Sequence, residues 1–528
     1  MPDQKRLLVL AIDAANSSLL RSWAADGTLP NVAALMAAGL TGETRSMEGL
    51  YIGATWPSFS TGLNPARHGI WWLLRLRPGS YQRVPCVPED LARRKTLWET
   101  LSEAGRRVAV LDVPLARQSP RLNGVQTVEW GVHDAAFGFR TSPRRLGRDI
   151  LAGVGAHPAP AVCDKPQRSP AEYREFADQL VRGATARALL TRQILAAEPW
   201  DFAIQVFSEA HCAGHQLWHF HDPTHPAFDP EAVRQSGDLV RVVYQAVDTA
   251  IGNILDEVPP DTTVVLLVLH GMSYIGGASL LLPKILTRLG VTTPLRGPRQ
   301  RGQTAPPRPV TLIASAWQRV PKQIRSRVFQ LRQLIRQRVS GRGLKIPIDP
   351  ARSQCFFLDA GYTVSGIRLN LVGREPQGLL APGAEADRFC DQLIHDLLDI
   401  VNPGTQRPLV KRVLRTAELY RGEYLDELPD LLVEWDVAEP LGTTAAGTGA
   451  GAVLKGFSNR VGLVEATNTY CRTGEHRVEG MFVARGPGIR PSRLDRVISN
   501  LDLAPTFARL LGCDMPNVDG QPVPELLN

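Results

Sequence analysis

The sequence predicts an α/β protein with a central, mainly parallel sheet, helices on both faces and one basic helical insertion. Short β-branched runs alternate with longer stretches of mixed polarity, which is the pattern of a sheet covered by helices. The runs are almost wholly apolar, as expected for strands buried on both faces. With 528 residues, 44% of them apolar, the chain can bury a large core. We expect residues 1–283 and 350–528 to form two parts of this core, separated by an insertion at 284–349.

Each predicted strand is a short apolar run. The strands are Leu7–Ile12, Val108–Val113, Phe202–Phe207, Thr263–Leu269, Leu431–Glu434 and Met481–Ala484. The longer stretches predict helices at Leu29–Ala38, Thr96–Ala104, Ala171–Ala197 and Ser236–Glu257. Ligands of such sheets collect at the carboxyl ends of the strands, and Asp13, His211 and His270 each lie at or just beyond a predicted end. A functional site is therefore expected at this edge of the sheet.

One segment of the chain carries a concentrated positive charge. The net charge is +8, but fifteen basic residues and no acidic ones stand between Lys284 and Ile348, so the remainder is at about −7. Leu295–Pro309 is rich in Pro, Gly and Arg and predicts an extended loop, whereas Ala314–Val339 has the spacing of an amphipathic basic helix. The segment is either a solvated cap helix or, within 295–339, a contact surface for phosphates, anionic lipid or nucleic acid.

Cysteine spacing and hydropathy restrict the class of protein. The seven cysteines are dispersed and lack CxxC spacing, so neither a disulfide framework nor a thiolate zinc site is expected, and a reducing cytoplasm fits best. The apolar run before Asp13 is too short for a signal-peptide core. No later run approaches the ~20 residues of a membrane-spanning helix. The sequence does not predict an oligomeric state.

Histidines are concentrated after one of the predicted strands. Five of the eleven histidines lie between His211 and His225. His211 and His215 are four residues apart, so on a helix they share a face and can ligate one metal ion. His270 follows an apolar strand, and His476 precedes another and could complete a set of three imidazoles. A single such histidine is more often a structural residue bonded to the backbone, but the concentration of several favours a metal site.

Thr55 is the candidate nucleophile. A free hydroxyl reacts slowly near neutral pH, but a bound dication can lower its pKa and hold the alkoxide in line with a phosphorus atom. Asp13 and an ionised Thr55 would add oxygen donors to the imidazoles, a mixture that suits zinc and similar ions. The alternative for Thr55 is a hydroxyl that binds nearby backbone in a proline-containing turn.

These residues together resemble the type I phosphodiesterase and nucleotide pyrophosphatase family of the alkaline phosphatase superfamily. The resemblance rests on Asp13, Thr55-Trp56-Pro57, Thr61-Gly62, His215, His270-Gly271-Met272 and Gly474 with His476. Two further blocks, 367–376 and 429–435, look like those of a bacterial branch of the superfamily. Phe59 stands where sulfatases of the superfamily have an arginine, which argues against a sulfatase.

The resemblance implies a fold, a nucleophile and a set of metal ligands. The fold would be alkaline phosphatase-like, and Thr55 would be the nucleophile. One divalent ion would be held by His211, His215 and His476. The other would be held by Asp13, Thr55 and His270. Zinc is the expected metal, with manganese or magnesium as alternatives.

Two departures from the family pattern make the two metal positions unequal. The family usually has an aspartate at the His211 position and another directly before the histidine of the His270 position, where this chain has Leu269. With both ions present, the site becomes about two charge units more positive, and like unit charges ~4 Å apart repel by roughly 4 kcal/mol. We predict a firmly bound three-histidine ion and a weak or absent second ion, unless a carboxylate comes from elsewhere in the chain. Its possible sources are Glu209, Asp134 and Glu475.

The sequence therefore predicts a metal-dependent hydrolase of phosphodiester or pyrophosphate bonds. Thr55 would form a phosphothreonine intermediate, and the substrate would be a phosphorylated small molecule. The alternative is a catalytically impaired member of the family that binds a phosphorylated ligand, because Leu269 cannot coordinate a metal. In that alternative the basic segment 295–339 docks the protein on anionic membrane or nucleic acid, and the binding weakens steeply with salt.

Overall fold

The computed structural model describes residues 5–133, 135–160, 163–165, 168–274, 276, 278–295, 344–438, 453–467 and 472–527. The basic segment falls almost entirely in 296–343, so the predicted loop at Leu295–Pro309, the predicted helix at Ala314–Val339 and their proposed contacts lie outside the described residues. The same holds for Asp134.

The described part of the chain contains twenty strands. They are β1 (Arg6–Ile12), β2 (Leu40–Arg45), β3 (Leu74–Leu76), β4 (Gln82–Pro85), β5 (Val108–Leu111), β6 (Gly124–Val128), β7 (Arg140–Ser142), β8 (Phe202–Phe207), β9 (Thr262–Val268), β10 (Gly271–Tyr274), β11 (Leu344–Lys345), β12 (Cys355–Asp359), β13 (Val364–Leu369), β14 (Val410–Arg415), β15 (Leu431–Trp435), β16 (Val453–Ser458), β17 (Gly462–Thr467), β18 (Gly474–Arg477), β19 (Glu479–Arg485) and β20 (Ser492–Ser499).

The same residues form fourteen α-helices and several short 3-10 turns. The helices are α1 (Ser17–Ala25), α2 (Pro30–Ala38), α3 (Thr55–Thr61), α4 (Pro65–His68), α5 (Leu97–Glu103), α6 (Arg144–Gly153), α7 (Pro170–Ala197), α8 (Glu209–Leu217), α9 (Pro230–Ser236), α10 (Leu239–Leu255), α11 (Leu282–Arg288), α12 (Ala384–Leu398), α13 (Thr416–Leu419) and α14 (Leu503–Leu510). In the part of the chain that the structure covers, no helix combines the length and apolar character needed to cross a bilayer.

A nine-stranded sheet forms the centre of the fold, in the order β20-β2-β19-β9-β1-β8-β5-β6-β7. Most neighbouring pairs are parallel, and β19 and β7 pair antiparallel with their neighbours. Alternate side chains of β1 enter two different apolar clusters, one on each face, because successive side chains of a strand point to opposite sides. This confirms the predicted central, mainly parallel sheet with both faces buried.

Within the described residues the predicted strands and helices form, with one change of place. The four predicted helices are observed as α2, α5, α7 and α10. α7 starts where a capping box of Ser169 and Glu172 satisfies its first amides and Pro170 occupies the first turn. The strand predicted at Leu431–Glu434 is present as β15, but it lies in a second, four-stranded sheet of order β12-β13-β15-β14. Both neighbours, β13 and β14, pair with β15 antiparallel. The apolar run of β15 therefore indicated a buried strand but not the sheet to which it belongs.

Candidate active site

The candidate site lies at the carboxyl ends of three adjacent parallel strands. β1 lies between β9 and β8, and the register pairs Ile12 with Phe207 and Ala11 with Leu267. Asp13, which follows β1, therefore lies beside the start of α8, the helix after β8. The segment after β9 reaches the same edge of the sheet.

A short two-stranded sheet brings His476 to this edge. β18 pairs antiparallel with β10, which places His476 opposite Met272, two residues after His270. The ring centroids of His476 and His270 are 4.9 Å apart. The two histidines come from distant parts of the sequence, and this strand pairing fixes them side by side.

β18 also packs closely on α8. A Cβ atom on Gly474 would lie 2.2 Å from the carbonyl oxygen of Gly214, so only glycine permits this approach. As a result, the ring centroid of His476 lies 4.8 Å from that of His211 and 4.8 Å from that of His215. All three rings are buried. The structure thus brings together the three imidazoles that the resemblance assigns to one metal ion.

His211 and His215 face each other through their Nε2 atoms, which are 3.0 Å apart. The Nδ1 atom of His211 lies 2.5 Å from Asp13 Oδ2, and that of His215 lies 2.8 Å from the carbonyl oxygen of Gly474. These oxygens can only accept, so both Nδ1 atoms donate and both Nε2 atoms of the neutral rings carry a lone pair. Burial lowers the pKa of His211 to about 4 and that of His215 well below its usual range, so both rings are neutral near pH 7.

This donor set fits a divalent cation. The two Nε2 lone pairs face each other at 3.0 Å, and the guanidinium of Arg472 supplies positive charge beside them through Nη1, 2.9 Å from His215 Nε2. A divalent cation bound between the two nitrogens would take over this role. In a tetrahedral zinc site the ligand nitrogens are about 3.3 Å apart, which is close to the observed separation. The Nδ1 atoms of His270 and His476 are also buried, and no atom of the described residues hydrogen-bonds to them. Buried polar atoms are normally paired, so these two nitrogens are available to a ligand.

Asp13 is engaged at both carboxylate oxygens. Trp56 Nε1 donates to Oδ1 at 2.8 Å, and His211 Nδ1 donates to Oδ2 at 2.5 Å. Burial raises the pKa of Asp13, but the neighbouring His211 outweighs it and holds the pKa below its usual range. His270 Nε2 lies 4.0 Å from Oδ1. Asp13 is therefore an ionised carboxylate that orients an imidazole, an arrangement common beside bound metal ions.

Thr55 is the first residue of α3 and is fully buried. The next residue, Trp56, binds Asp13, so this end of α3 is anchored at the end of β1. The Thr55 hydroxyl donates to the carbonyl oxygen of Tyr51 at 2.5 Å and contacts the Ser46 hydroxyl. Because Thr55 has a single hydroxyl proton, Ser46 is the donor in the second contact. The alternative role for Thr55 was a hydroxyl bonded to nearby backbone, and this hydrogen bond is present. The helix that starts at Thr55 is also held beside Asp13 by the hydrogen bond from Trp56.

Leu269 lies where the family usually has an aspartate, and its side chain belongs to an apolar core cluster. It is 1% exposed, and its carbonyl oxygen accepts a hydrogen bond from Asn500 Nδ2 at 2.7 Å. Of the possible replacement carboxylates in the described residues, Glu475 lies beside the histidines, with Oε1 3.6 Å from His476 Nε2. Its carboxylate also lies within 4.8 Å of the ligand atoms of His215 and His476.

Two further residues at the site were missed from the sequence. The ring of His133 lies over that of His211 with centroids 4.1 Å apart and a tilt of 37°, and a ligand nitrogen of His133 lies within 4.8 Å of those of His211 and His215. Arg472 Nη1 donates to His215 Nε2 at 2.9 Å, and its Nε donates to Asp164 at 2.8 Å. His133 lies in an irregular segment and carries no periodic signal. Arg472, a cation two residues before the Gly474 motif, could have been identified as an anion-binding residue.

Glu209 does not supply a metal ligand, because it belongs to a buried ionic network. Arg187 is fully buried and donates from Nε to Glu209 Oε1 at 2.7 Å and from Nη1 to Asp112 Oδ2 at 2.8 Å. His157 Nε2 lies 2.8 Å from the same Glu209 oxygen. Burial raises the pKa of Glu209, but Arg187 outweighs it and the pKa stays below its usual range. The network ties α7 and the end of β5 to the start of α8.

Replacing Arg187 with methionine is expected to lower the free energy of unfolding by about 3–5 kcal/mol, because two buried carboxylates lose their cation. Chemical denaturation at pH 7 measures this change. The difference should shrink as the pH falls, since burial without Arg187 raises the pKa of Glu209 in the variant and protonation then removes one of the stranded charges. The matched control is Arg182→Met on the same helix, where the exposed pair with Glu175 should contribute little. Equal stability of the two variants would contradict this assignment.

The sequence matches the model of a known protein family. The sequence model described as type I phosphodiesterase / nucleotide pyrophosphatase matches residues 7–287. That range contains Asp13, Thr55, His211, His215 and His270 and ends before His476. A search of curated protein sequences finds no match.

Two solved structures align with nearly the whole chain. Phosphonoacetate hydrolase from Sinorhizobium meliloti 1021, solved in complex with phosphonoacetate, has a TM-score of 0.51 and 14% identity, covering 95% of this chain and 94% of that chain. Murine ectonucleotide pyrophosphatase / phosphodiesterase 5 has a TM-score of 0.45 and 11% identity, covering 98% of each chain. The likeness to the first structure confirms the predicted alkaline phosphatase-like fold.

Proposed function

Because this chain belongs to the type I phosphodiesterase / nucleotide pyrophosphatase family, we propose that it is a metal-dependent hydrolase of phosphodiester or pyrophosphate bonds with Thr55 as its nucleophile. The observation that carries the proposal is the convergence of buried, neutral imidazoles with facing or unpartnered nitrogens beside the anchored end of α3. Such a set of donors has little purpose in a purely structural core, where buried polar atoms are normally paired.

His211, His215 and His476 would hold the firmly bound ion. Neutral imidazole is the ligand that zinc prefers, and the Asp13 carboxylate would keep the Nε2 atom of His211 directed at the ion. Manganese or magnesium would depend more on an oxygen ligand, and the Glu475 carboxylate lies within 4.8 Å of the ligand atoms of His215 and His476. When bound, the divalent ion supplies Lewis acidity that lowers the pKa of the nucleophile and stabilises negative charge on the phosphoryl oxygens.

The position formed by Asp13, Thr55 and His270 would bind a second ion weakly or not at all. Both oxygens of Asp13 already accept hydrogen bonds, and ligation would compete with them. Leu269 offers only an apolar side chain in place of a second carboxylate. Two dications side by side repel, and among the described residues Leu269 stands where a second carboxylate would offset the repulsion.

The reaction would proceed in two displacements at phosphorus. Thr55 Oγ1 releases its proton to solvent and attacks the phosphorus atom, the bond from phosphorus to the leaving oxygen breaks, and that oxygen departs with the electron pair. The product is a phosphothreonine, still esterified to the remaining alcohol when the substrate is a diester. Water then attacks the same phosphorus atom and releases Thr55 with its proton restored. Arg472, which reaches His215, would donate hydrogen bonds to the phosphoryl oxygens.

One observation favours a second candidate function. The apolar burial of Leu269 is also expected of a family member that binds a phosphorylated ligand without turning it over. An activity screen with added zinc, manganese or magnesium over phosphomonoesters, phosphodiesters and nucleotides, paired with calorimetry, separates the two. Hydrolysis of any of these substrates supports the enzyme, whereas tight binding of a nucleotide without hydrolysis under every metal supports the binding protein.

Replacing Leu269 with aspartate is expected to add one equivalent of bound metal relative to the parent protein, because the variant regains the carboxylate at the second position. The melting temperature of the variant should also rise with metal concentration more than that of the parent. Elemental analysis after gel filtration measures the first effect and calorimetry the second. Leu269→Asn is the matched control, since it has nearly the same shape without the charge. Equal metal content in the aspartate and asparagine variants would contradict the unequal-site proposal.

A further inference from the structure

A second cluster of metal-ligating side chains lies behind the histidine centre. Cys163 Sγ lies 3.2 Å and Cys212 Sγ lies 3.3 Å from His133 Nδ1. The three ligand atoms all lie within 4.8 Å of one another. Both cysteines are buried, with 1% and 5% of their surface exposed. The cysteines are dispersed in the sequence and carry no CxxC spacing, but the fold gathers two of them around one imidazole.

The distances in this cluster match those between ligands of a tetrahedral metal ion. With zinc–sulfur bonds of about 2.3 Å and zinc–nitrogen bonds of about 2.0 Å, sulfur and nitrogen ligands lie about 3.5 Å apart. The two observed separations of 3.2 and 3.3 Å differ from this by only a few tenths of an ångström. A cation between the three atoms would thus require little movement of the backbone.

The neighbouring carboxylate has other partners. Asp164 accepts hydrogen bonds from Arg472 Nε at 2.8 Å, from Arg472 Nη2 at 2.9 Å and from Gln216 Nε2 at 3.1 Å. Two thiols and one imidazole therefore remain as the ligand set in the described residues. Soft thiolates with an imidazole favour zinc and other thiophilic ions over magnesium or calcium.

We propose that Cys163, Cys212 and His133 bind one thiophilic divalent cation, with zinc as the natural choice. On binding, each thiol releases its proton to solvent and the resulting thiolate donates an electron pair to the ion. Cys212 lies on α8 between His211 and His215, so this ion ties the helix that carries both histidines to the segments around His133 and Cys163. The inference stands on these contacts alone and does not depend on the proposed hydrolase activity.

Cobalt substitution of the full-length reduced protein tests the inference. Thiolate ligation gives cobalt(II) an intense charge-transfer band in the near ultraviolet, and imidazole ligation alone does not. We expect the band in the parent protein, its loss in Cys163→Ser and Cys212→Ser, and a fall of one zinc equivalent in each variant. The control Cys390→Ser, another buried cysteine, should keep the band. His476→Ala should also keep it, which separates this site from the histidine centre.

A measurement without variants covers the case in which the serine proteins do not fold. X-ray absorption at the zinc edge of the zinc-loaded parent protein should show sulfur atoms about 2.3 Å from the metal, the length of a zinc–thiolate bond. Absence of the cobalt band from the reduced parent protein, absence of sulfur at bonding distance from zinc, or persistence of the band in either serine variant would overturn the inference. A disulfide between Cys163 and Cys212 in the zinc-loaded protein would overturn it as well.

Discussion

Replacing Thr55 with alanine is expected to lower the turnover of a chromogenic phosphodiester by a factor on the order of 10³ or more, the usual scale for loss of a covalent nucleophile. The hydroxyl is buried at the first residue of α3 and is the oxygen that we propose to attack phosphorus. Neither the metal content nor the melting temperature should change much, because the firmly bound ion is held by imidazoles. Steady-state kinetics measure the turnover, elemental analysis measures the metal content, and calorimetry measures the melting temperature.

The matched control for this variant is Thr100→Ala. The Thr100 hydroxyl donates to the carbonyl oxygen of Thr96, four residues earlier, at 3.1 Å, just as that of Thr55 donates to Tyr51. Loss of that local bond should leave turnover at the parent rate. Thr55→Ser should keep partial activity, since it retains the oxygen. Parental turnover by Thr55→Ala would remove Thr55 from the mechanism.

Replacing His215 with alanine is expected to remove one equivalent of bound metal and to lower the turnover by a factor of at least ~10². This exceeds the loss seen when only a residue that hydrogen-bonds to a metal ligand is removed. His215 is fully buried and its Nε2 atom faces that of His211 at 3.0 Å. Its removal therefore takes away one of the two facing nitrogens that we propose to bind the ion. Counting metal by difference from the parent protein keeps the result independent of the thiol cluster.

Two histidine variants serve as controls for this result. His219→Ala removes a buried imidazole of the same stretch, which contacts Thr473 and lies outside the proposed ligand set, so metal content should stay at the parent level. His270→Ala should also retain the firmly bound ion, because His270 belongs to the weaker position. Full metal content in His215→Ala, or loss of one metal equivalent in His270→Ala, would contradict the proposal that the three-histidine position binds its ion more firmly than the position that includes His270.

Local sequence patterns predicted the elements that position Asp13, His211 and His270. β1, β8 and β9 are short apolar runs, and such runs indicate buried strands whichever partner they pair with. Their carboxyl ends meet because the three strands are parallel neighbours, a property that alternation of strands and helices already suggests.

The same local patterns could not predict which strands pair across long distances in the sequence. β15 has an apolar run like that of β8, yet it lies in the second sheet, since the run itself does not specify a partner. His476 reaches the site only because β18 pairs with β10. The hydrogen bonds that fill both oxygens of Asp13 and the contact of Cys163 with His133 join irregular or distant segments, so no spacing in the sequence announces them.

The decisive measurement is identification of the covalent intermediate. The parent protein, loaded with metal, is mixed with bis(4-nitrophenyl) phosphate, quenched in acid during turnover and digested for mass spectrometry. We predict one released nitrophenolate per attack and a nitrophenyl phosphate ester on the peptide that contains Thr55, absent from Thr55→Ala. An ester on another residue, such as the neighbouring Ser46, or continued turnover by Thr55→Ala, would contradict the proposed mechanism.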